Sequence, residues 1–510
     1  MSIRGYPWLH IGLRPTGFDS TSASAYLLTK MDQPKLLIAG EWVATEKALP
    51  VINPYDESVI TEVPVATEAV VDAAIAAAES GAADMRRLPA HTRSAILAKA
   101  AALLEQRSDE FTESIIAEAG KPRKYAAAEV ARGVETLRFA AAEALRIHGE
   151  TVPMDASRGS ESRRGFFIRV PLGVIAAITP FNFPLNLVLH KVAPALAAAN
   201  SVVLKPATKT PLTALKLGEL LLEAGLPSKA LNIVVGEGGT VGAALVRDSR
   251  IRMVTFTGSP AVGEAIKRDS GLKRVTLELG SNSGAIIDET ADLDKALVRC
   301  LVGGFSFSGQ VCIHTQRLYV HESIAEQFAA RFVDAAEKLA CGNPALPETD
   351  IGPMIDRAAL SRGVALVEEA RAAGAEVLCG GTAEGTVMFP TILLGAKPEL
   401  PVVCEESFAP IVTIHSFRDF DEAVALFNQG SALGTYDYGL GCGVFTHDLG
   451  RAFRAAEQLE VGNVLINDSA TTRADHMPYG GVKDSGIGRE GPRFAIEEMT
   501  DIRMVSFNLG

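Results

Sequence analysis

Segments that alternate between strand-like and helix-like patterns predict an α/β fold with two doubly wound parallel sheets. From Gly173 the order runs VIAAITP, SVVLKP, PLTALKLGELLLEAG, LNIVVG, VGAALVRD, RMVTFTG, AVGEAIKRD and RVTLELG, strands separated by helices. Strands spaced in this way pair in parallel and are wrapped on both faces. A second alternating series begins at GAIIDE, contains the helix SIAEQFAARFVDAAEKLA and ends near VGNVLIND. At 510 residues the chain is also too long for one ordinary core and fits two or three domains.

The remaining elements follow in order. The first thirty residues carry few acids and no periodic apolar face, so an extension over 1–30 is expected, with the working protein beginning near Met31. KLLIAGEWV and PVINPYDESVITEVPV read as short strands with tight turns. Alanine-rich helices then fill about 67–147, broken near Gly120, Lys121 and Pro122. Val170 to His190 lacks a full charge over about the length of a spanning helix. Pro171, Pro180 and Pro184 interrupt it, so a buried strand followed by a loop is the better reading. Pro211 is expected to open the helix of PLTALKLGELLLEAG at its first turn.

Composition excludes several function classes. With 47% hydrophobic and 22% charged residues the chain reads as globular, without a membrane partner. A net charge of −12 argues against nucleic acid or an anionic membrane surface. The six cysteines (Cys300, Cys312, Cys341, Cys379, Cys404, Cys442) form no C-x-x-C pair. That pattern fits neither a disulfide framework nor a zinc ribbon; it predicts no metal site and a reducing, cytoplasmic setting.

Chemistry concentrates in the 34-residue interval from Glu278 to Cys312. Cys312, in SFSGQVCIHTQR, is a candidate nucleophile for attack on a carbonyl. Gly309 and Gln310 suggest a turn at a helix start, where backbone N–H groups would lower a thiol pKa. Glu278 ends the apolar strand RVTLELG; a carboxylate there needs a task or a partner, and activation of water is the task that fits. Asn182, in ITPFNFPL, could donate to a developing oxyanion together with the Cys312 N–H. Taken singly, each has a blander reading as a buried small residue, a salt-bridged acid or a turn former. Lys205 ends the strand SVVLK at the sheet edge where nucleotides sit. Gly236, Gly238 and Gly242 in GEGGTVG leave room for phosphate, although their spacing is not the dinucleotide fingerprint. Gly258 and Ser259 precede a helix whose N-terminus suits a pyrophosphate.

TPFNFPL, VVLKPA, FTGS, ELGS, GQVC, EESFAP and PYGGVKDSGIGREG occur here in the order of the NAD(P)-dependent aldehyde dehydrogenase superfamily, which the chain resembles from about Lys35 onward. The resemblance implies hydrolytic oxidation of an aldehyde to a carboxylate, with Cys312 as nucleophile, Glu278 as general base and Asn182 as oxyanion donor. It implies a nicotinamide cofactor, NAD or NADP, held by Thr179, Pro180, Phe181, Lys205, Thr208, Gly238, Gly258, Ser259, Leu279, Glu406 and Phe408. It also implies a small oligomerisation sheet near 147–168 and 493–510, and assembly as a homodimer or homotetramer. The expected division is a cofactor-binding domain over 31–280 interrupted by 147–168, a catalytic domain over 281–480, and a returning segment, 481–510, that completes the oligomerisation sheet.

Departures from the family pattern are few. ELGG reads ELGS, with Ser281, and EEIFGP reads EESFAP, with Ser407 and Ala409. Thr208 stands where members preferring NAD often place a glutamate on the ribose hydroxyls, which leaves NADP open. NDSATTRADHMPYGG resembles the branch acting on lactaldehyde, glyceraldehyde 3-phosphate and other small polar or anionic aldehydes. By that similarity Arg473 and His476 are expected near the substrate mouth and Arg132 along the tunnel, a cation pair suited to a carboxylate, phosphate or sulfonate. A CoA-acylating semialdehyde dehydrogenase is the alternative. Relatives of that kind commonly lack the general-base glutamate, so Glu278 counts against it.

Overall fold

The structure, a computed structural model, describes residues 33–510; the extension expected over 1–30 lies outside the described residues. The first sheet is built on five parallel, largely buried strands, in the spatial order Leu231–Ile233, Ser201–Lys205, Val174–Ile178, Ile251–Thr257 and Arg274–Glu278. Burial on both faces is why these strands read as apolar runs and not as an alternation. Leu36–Ile38 and Glu41–Val43 extend one edge antiparallel, and Gly486–Ile487 the other. The chain steps outward from Val174–Ile178 in one direction, then restarts on its other side at Ile251–Thr257. Sheets of this kind take ligands at such a reversal, outside the carboxyl ends of the strands. Ile178, Lys205, Thr257 and Glu278 all end their strands on that edge.

Four helices precede the parallel strands of this sheet: Glu68–Arg87, Ala90–Gln106, Ser108–Ala119 and Arg123–Ala144. The break between the last two falls at Gly120, which takes the left-handed conformation that ends a helix. The uncharged run from Val170 to His190 divides into the end of a strand, the buried strand Val174–Ile178, a loop, and the start of the helix Asn186–Ala197. Among the described residues no helix is long and apolar enough to cross a membrane.

Two helices that carry the site begin without a capping side chain of their own. One is Leu212–Glu223; Pro211 is the residue before its first turn, not the opening member expected. Its N–H groups are met from a distance, Glu118 accepting from Leu212 N at 2.7 Å and Thr213 N at 2.9 Å. Glu129 does the same for Asn186–Ala197, accepting from Leu185 N at 2.9 Å and Asn186 N at 3.1 Å. A carboxylate here satisfies orphan donors and complements the helix dipole. Glu129 is ion-paired with Lys121, and both side chains are buried. Lys121 Nζ lies 3.7 Å from the centre of the Phe183 ring and 4.6 Å from that of Phe307. This pair therefore braces the loop 179–185 and the approach to Cys312 together.

The second sheet runs Glu376–Cys379, Thr391–Leu394, Ile411–Phe417, Arg317–His321, Gly284–Ile287, Gly441–Phe445 and Asn463–Ile466, parallel except for its first member. A third, antiparallel sheet joins Glu150–Val152, Arg163–Pro171 and Thr500–Asn508. The closing segment thus divides: Val482–Lys483 pairs with Tyr438–Gly439, Gly486–Ile487 completes an edge of the first sheet, and Thr500–Asn508 belongs to the third. The fold is α/β, with two doubly wound, mostly parallel sheets, the small three-stranded sheet and, among the described residues, three two-stranded ones.

Lys121→Met is expected to lower the midpoint of thermal unfolding, since Glu129 would remain buried without its partner, a loss on the order of 3–5 kcal/mol. An unchanged midpoint would contradict the bracing role.

Candidate active site

Cys312 lies between the helix Leu293–Phe305 and the strand Arg317–His321. The sequence predicts a helix start there; the structure has none. Instead Phe307, Ser308 and Gly309 take φ values of 48°, 55° and 68° in succession and reverse the chain. A Cβ at Gly309 would stand 2.1 Å from the Ala409 carbonyl oxygen, so this turn requires glycine. With no helix N-terminus beside it, the thiol lacks the expected help in ionising. Burial pushes it up to about 11; Glu406 and Glu278 also push it up, and Tyr479 and Arg473 pull it down. The side chain remains partly exposed, with Sγ 3.2 Å from the Tyr479 hydroxyl.

Asn182 follows the strand Val174–Ile178 and is buried. Its Nδ2 donates to the Gln310 carbonyl at 2.9 Å, two residues before the cysteine. A primary amide carries two N–H donors, so the second is free to meet an oxyanion. Glu278 is 3% exposed, and among the described residues neither carboxyl oxygen has a hydrogen-bond partner. A Cβ at Gly480 would lie 2.8 Å from Glu278 Oε1, so the missing side chain there makes room for the acid. Burial holds Glu278 well above the ordinary carboxyl range, and the neighbouring Glu490 adds to this against Lys191, Arg473 and Arg489.

Glu490 has the opposite environment. Its oxygens accept from Lys191 Nζ at 2.6 Å and Arg473 Nη2 at 3.1 Å. Burial alone would raise it, but Lys191 and Arg473 outweigh that and bring it down to about 2. Two neighbouring carboxyls with pKa values driven apart are the arrangement expected of a site that moves protons.

The nucleotide-type positions gather at the carboxyl edge of the first sheet. Lys205 is buried, and among the described residues its ammonium meets only the Pro206 carbonyl, at 3.2 Å. Burial brings it down to about 8 against the pull of Glu237. The hydroxyl of Thr179 is likewise buried without a partner. Unmatched donors of this kind fit the hydroxyls and phosphates of a dinucleotide. Ser259 is exposed, immediately before the helix Pro260–Asp269, and Gly258 N donates to the Glu278 carbonyl at 3.0 Å. Gly238 opens a wide turn with no atom within 4 Å of where its Cβ would be. Thr208 donates to the Gly236 carbonyl at 3.1 Å and so supports that turn. Leu279 packs against Gly263, and half-buried Pro180 precedes Phe181. Phe181 meets Phe408 edge-on with ring centres 5.8 Å apart. Glu406 Oε1 accepts from Ser281 N at 3.0 Å, and burial pushes the carboxyl up to about 7. The serine that departs from the family pattern thus holds Glu406 with its backbone, while its hydroxyl bonds Ser283 at 2.6 Å.

The expected substrate residues are arranged differently from a bare cation pair. Arg132 forks onto Asp475 at 3.1 and 2.8 Å. Asp475 also takes His190 Nε2 at 2.9 Å and Asn186 Nδ2 at 3.0 Å. Arg473 is turned inward to Glu490, its side chain 5% exposed. His476 is exposed and rests against Phe139, ring centres 4.8 Å apart. Sequence reasoning missed Tyr479, Glu490, Lys191 and Asp475. Tyr479 and Glu490 stand inside the quoted run PYGGVKDSGIGREG, and Asp475 beside Arg473, but nothing local showed what each would touch.

Residues 42–505 match the model of the aldehyde dehydrogenase family. A 3-sulfolactaldehyde dehydrogenase of Priestia megaterium is 45% identical over 94% of this chain and 99% of its own. Aldehyde dehydrogenase 21 of Physcomitrella patens, solved with the reaction product succinate, superposes with a TM-score of 0.90 at 40% identity, covering 93% of this chain and 98% of that one. A glyceraldehyde-3-phosphate dehydrogenase of Methanocaldococcus jannaschii complexed with NADP superposes at 0.86 with 36% identity, covering 91% and 100%. The chain belongs to the aldehyde dehydrogenase family.

Proposed function

We propose that this protein oxidises a small polar or anionic aldehyde to its carboxylate with NAD(P)+, through a thioester on Cys312. The observation that carries the reading is geometric: Glu278, buried and without a hydrogen-bond partner among the described residues, lies against Gly480, next in the chain to the Tyr479 whose hydroxyl stands 3.2 Å from Cys312 Sγ. Lys205, Thr179, Ser259 and Glu406 would hold the dinucleotide, which supplies the hydride acceptor when bound. Cys312 sulfur forms a bond to the carbonyl carbon, and the oxygen takes the charge of the broken π bond. The second N–H of Asn182 and the Cys312 backbone N–H stabilise that oxyanion. Loss of hydride leaves a thioester. Glu278 then takes a proton from water, whose oxygen adds to the thioester carbon, and the carbon–sulfur bond breaks to release carboxylate and thiol.

Because Glu278 is raised, its basic form grows as pH rises from neutrality, and hydrolysis of the thioester should accelerate with it. Cys312→Ala is expected to abolish turnover while cofactor binding, read by fluorescence, persists. Glu278→Gln should give a stoichiometric burst of reduced cofactor and then a slow steady state without the rise at higher pH. A Cys312→Ala protein that still turns over would refute the reading.

The relative named for sulfolactaldehyde and the half-buried Arg132 support an anionic group on the substrate. In a kinetic panel, kcat/KM for carboxylated, phosphorylated or sulfonated short aldehydes should exceed that of neutral analogues by about tenfold, as one charge-assisted contact allows. A preference for long apolar aldehydes would exclude it.

The third sheet supports self-association, since Phe166, Ile168, Ile502, Met504 and Phe507 stand exposed on its strands. Light scattering should report a dimer or tetramer, and Ile502→Asp with Met504→Asp a smaller species. A monomeric parent protein would end this proposal.

A further inference from the structure

The reaction proposed above leaves the Tyr479 hydroxyl without a role, yet it stands 3.2 Å from Cys312 Sγ. The residue is 3% exposed and fixed by its backbone. Tyr479 N donates to the Glu490 carbonyl at 3.1 Å, and Glu490 N donates back to the Tyr479 carbonyl at 2.7 Å. On the face of its ring lies the Arg473 guanidinium, its carbon 3.7 Å from the ring centre. Arg473 is held in turn by Glu490 Oε2 at 3.1 Å. A cation on a phenol face is attracted to the ring and polarises the O–H into a better donor.

The direction of this hydrogen bond follows from the surroundings. Burial, with Cys312 and Glu278 adding to it against Arg473, keeps the phenol well above its ordinary pKa. Tyr479 therefore stays protonated, and an ionised sulfur can only accept. Tyr479 touches Sγ; it and the Arg473 cation favour the thiolate, while the Glu406 and Glu278 carboxyls oppose it.

We infer that Tyr479 is the hydrogen-bond donor that holds and stabilises the Cys312 thiolate, and that Arg473 is a positioning residue acting through the Tyr479 ring. The thiol proton passes to water and Tyr479 keeps its own, so the tyrosine is a donor and not a base. This rests on Cys312 being the nucleophile, but it is testable with neither aldehyde nor cofactor present.

The test is alkylation of Cys312 by iodoacetamide across a pH series, read by mass of the Cys312 peptide in the full-length protein. Tyr479→Phe keeps the ring under Arg473 and removes only the hydroxyl. Its alkylation profile should shift to higher pH, with the rate near pH 8 falling about tenfold, the factor one pKa unit represents. Arg473→Met should shift the profile the same way by less, and Arg473→Lys should restore part of it. Should the arginine variants fail to fold, Tyr479→Phe decides alone. A Tyr479→Phe profile superposed on that of the parent protein overturns the inference. A shifted profile together with an active Cys312→Ala protein would instead uphold the thiolate contact and sink the proposed reaction.

Discussion

Glu490 sits between two buried cations, and this ion triad sets the electrostatic surroundings of Glu278. Its two oxygens take Lys191 and Arg473 separately, so both cations are committed before Glu278 is considered. Glu278 then feels only what remains of their field, and burial prevails. Lys191, Arg473 and Glu490 together carry one positive charge in excess. An ionised Glu278 would neutralise that excess, so this acid can gain and lose a proton without leaving the pocket strongly charged. An isolated carboxylate at the same depth would be too costly to ionise. A lone Glu278–Lys191 pair would be too stable to take a proton from water.

The same economy of contacts joins the domains at this point. Asn182 rises from the first sheet, yet its amide is fixed by the carbonyl of Gln310 on the approach to Cys312. Glu406 comes from beyond the second sheet's helix Pro401–Cys404 and is held by the backbone of Ser281, in the link between the first sheet and the second. Below them, Glu129 ties the loop of Asn182 to the helix Arg123–Ala144. Asn182 and Glu406 are thus each placed by a partner on a different element, which keeps such groups within the narrow tolerances that carbonyl chemistry would set.

Legibility in the sequence follows from how local each determinant is. The parallel sheets were readable because burial on both faces writes itself into consecutive apolar residues, as in VIAAI and SVVLK. Cys312, Glu278 and Asn182 stand out in the sequence because each interrupts a local pattern, and the structure ties Asn182 to the approach of Cys312; their roles belong to the proposed reaction. The helix start at Cys312 was misread because glycine has two uses. Gly309 serves a left-handed turn pressed against Ala409, a residue distant in sequence, and does not announce a helix. Tyr479 meets Cys312 across 167 residues, and Asp475 meets Arg132 across 343. No periodicity encodes such pairings, and a borrowed cap such as Glu129 on Asn186 leaves its own helix looking like any other.

The pairing of both arginines also bears on how an anionic aldehyde would be recognised. Arg473 is matched by Glu490 and Arg132 by Asp475, while burial and Arg473 bring His190 down to about 4, leaving it neutral at physiological pH. A region whose cations are already balanced offers an anion little net attraction. What it can offer is direction. Arg132 keeps a third of its side chain exposed beside Asp475, so part of its fork can turn to a ligand without leaving the carboxylate unpaired. Recognition of this kind selects geometry more than charge, since the donor is positioned by its partner and reoriented little on binding. A site with an unpaired arginine would hold the anionic product as firmly as the substrate. On the proposed reaction, pairing would weaken the grip on the product carboxylate as well and so favour its release.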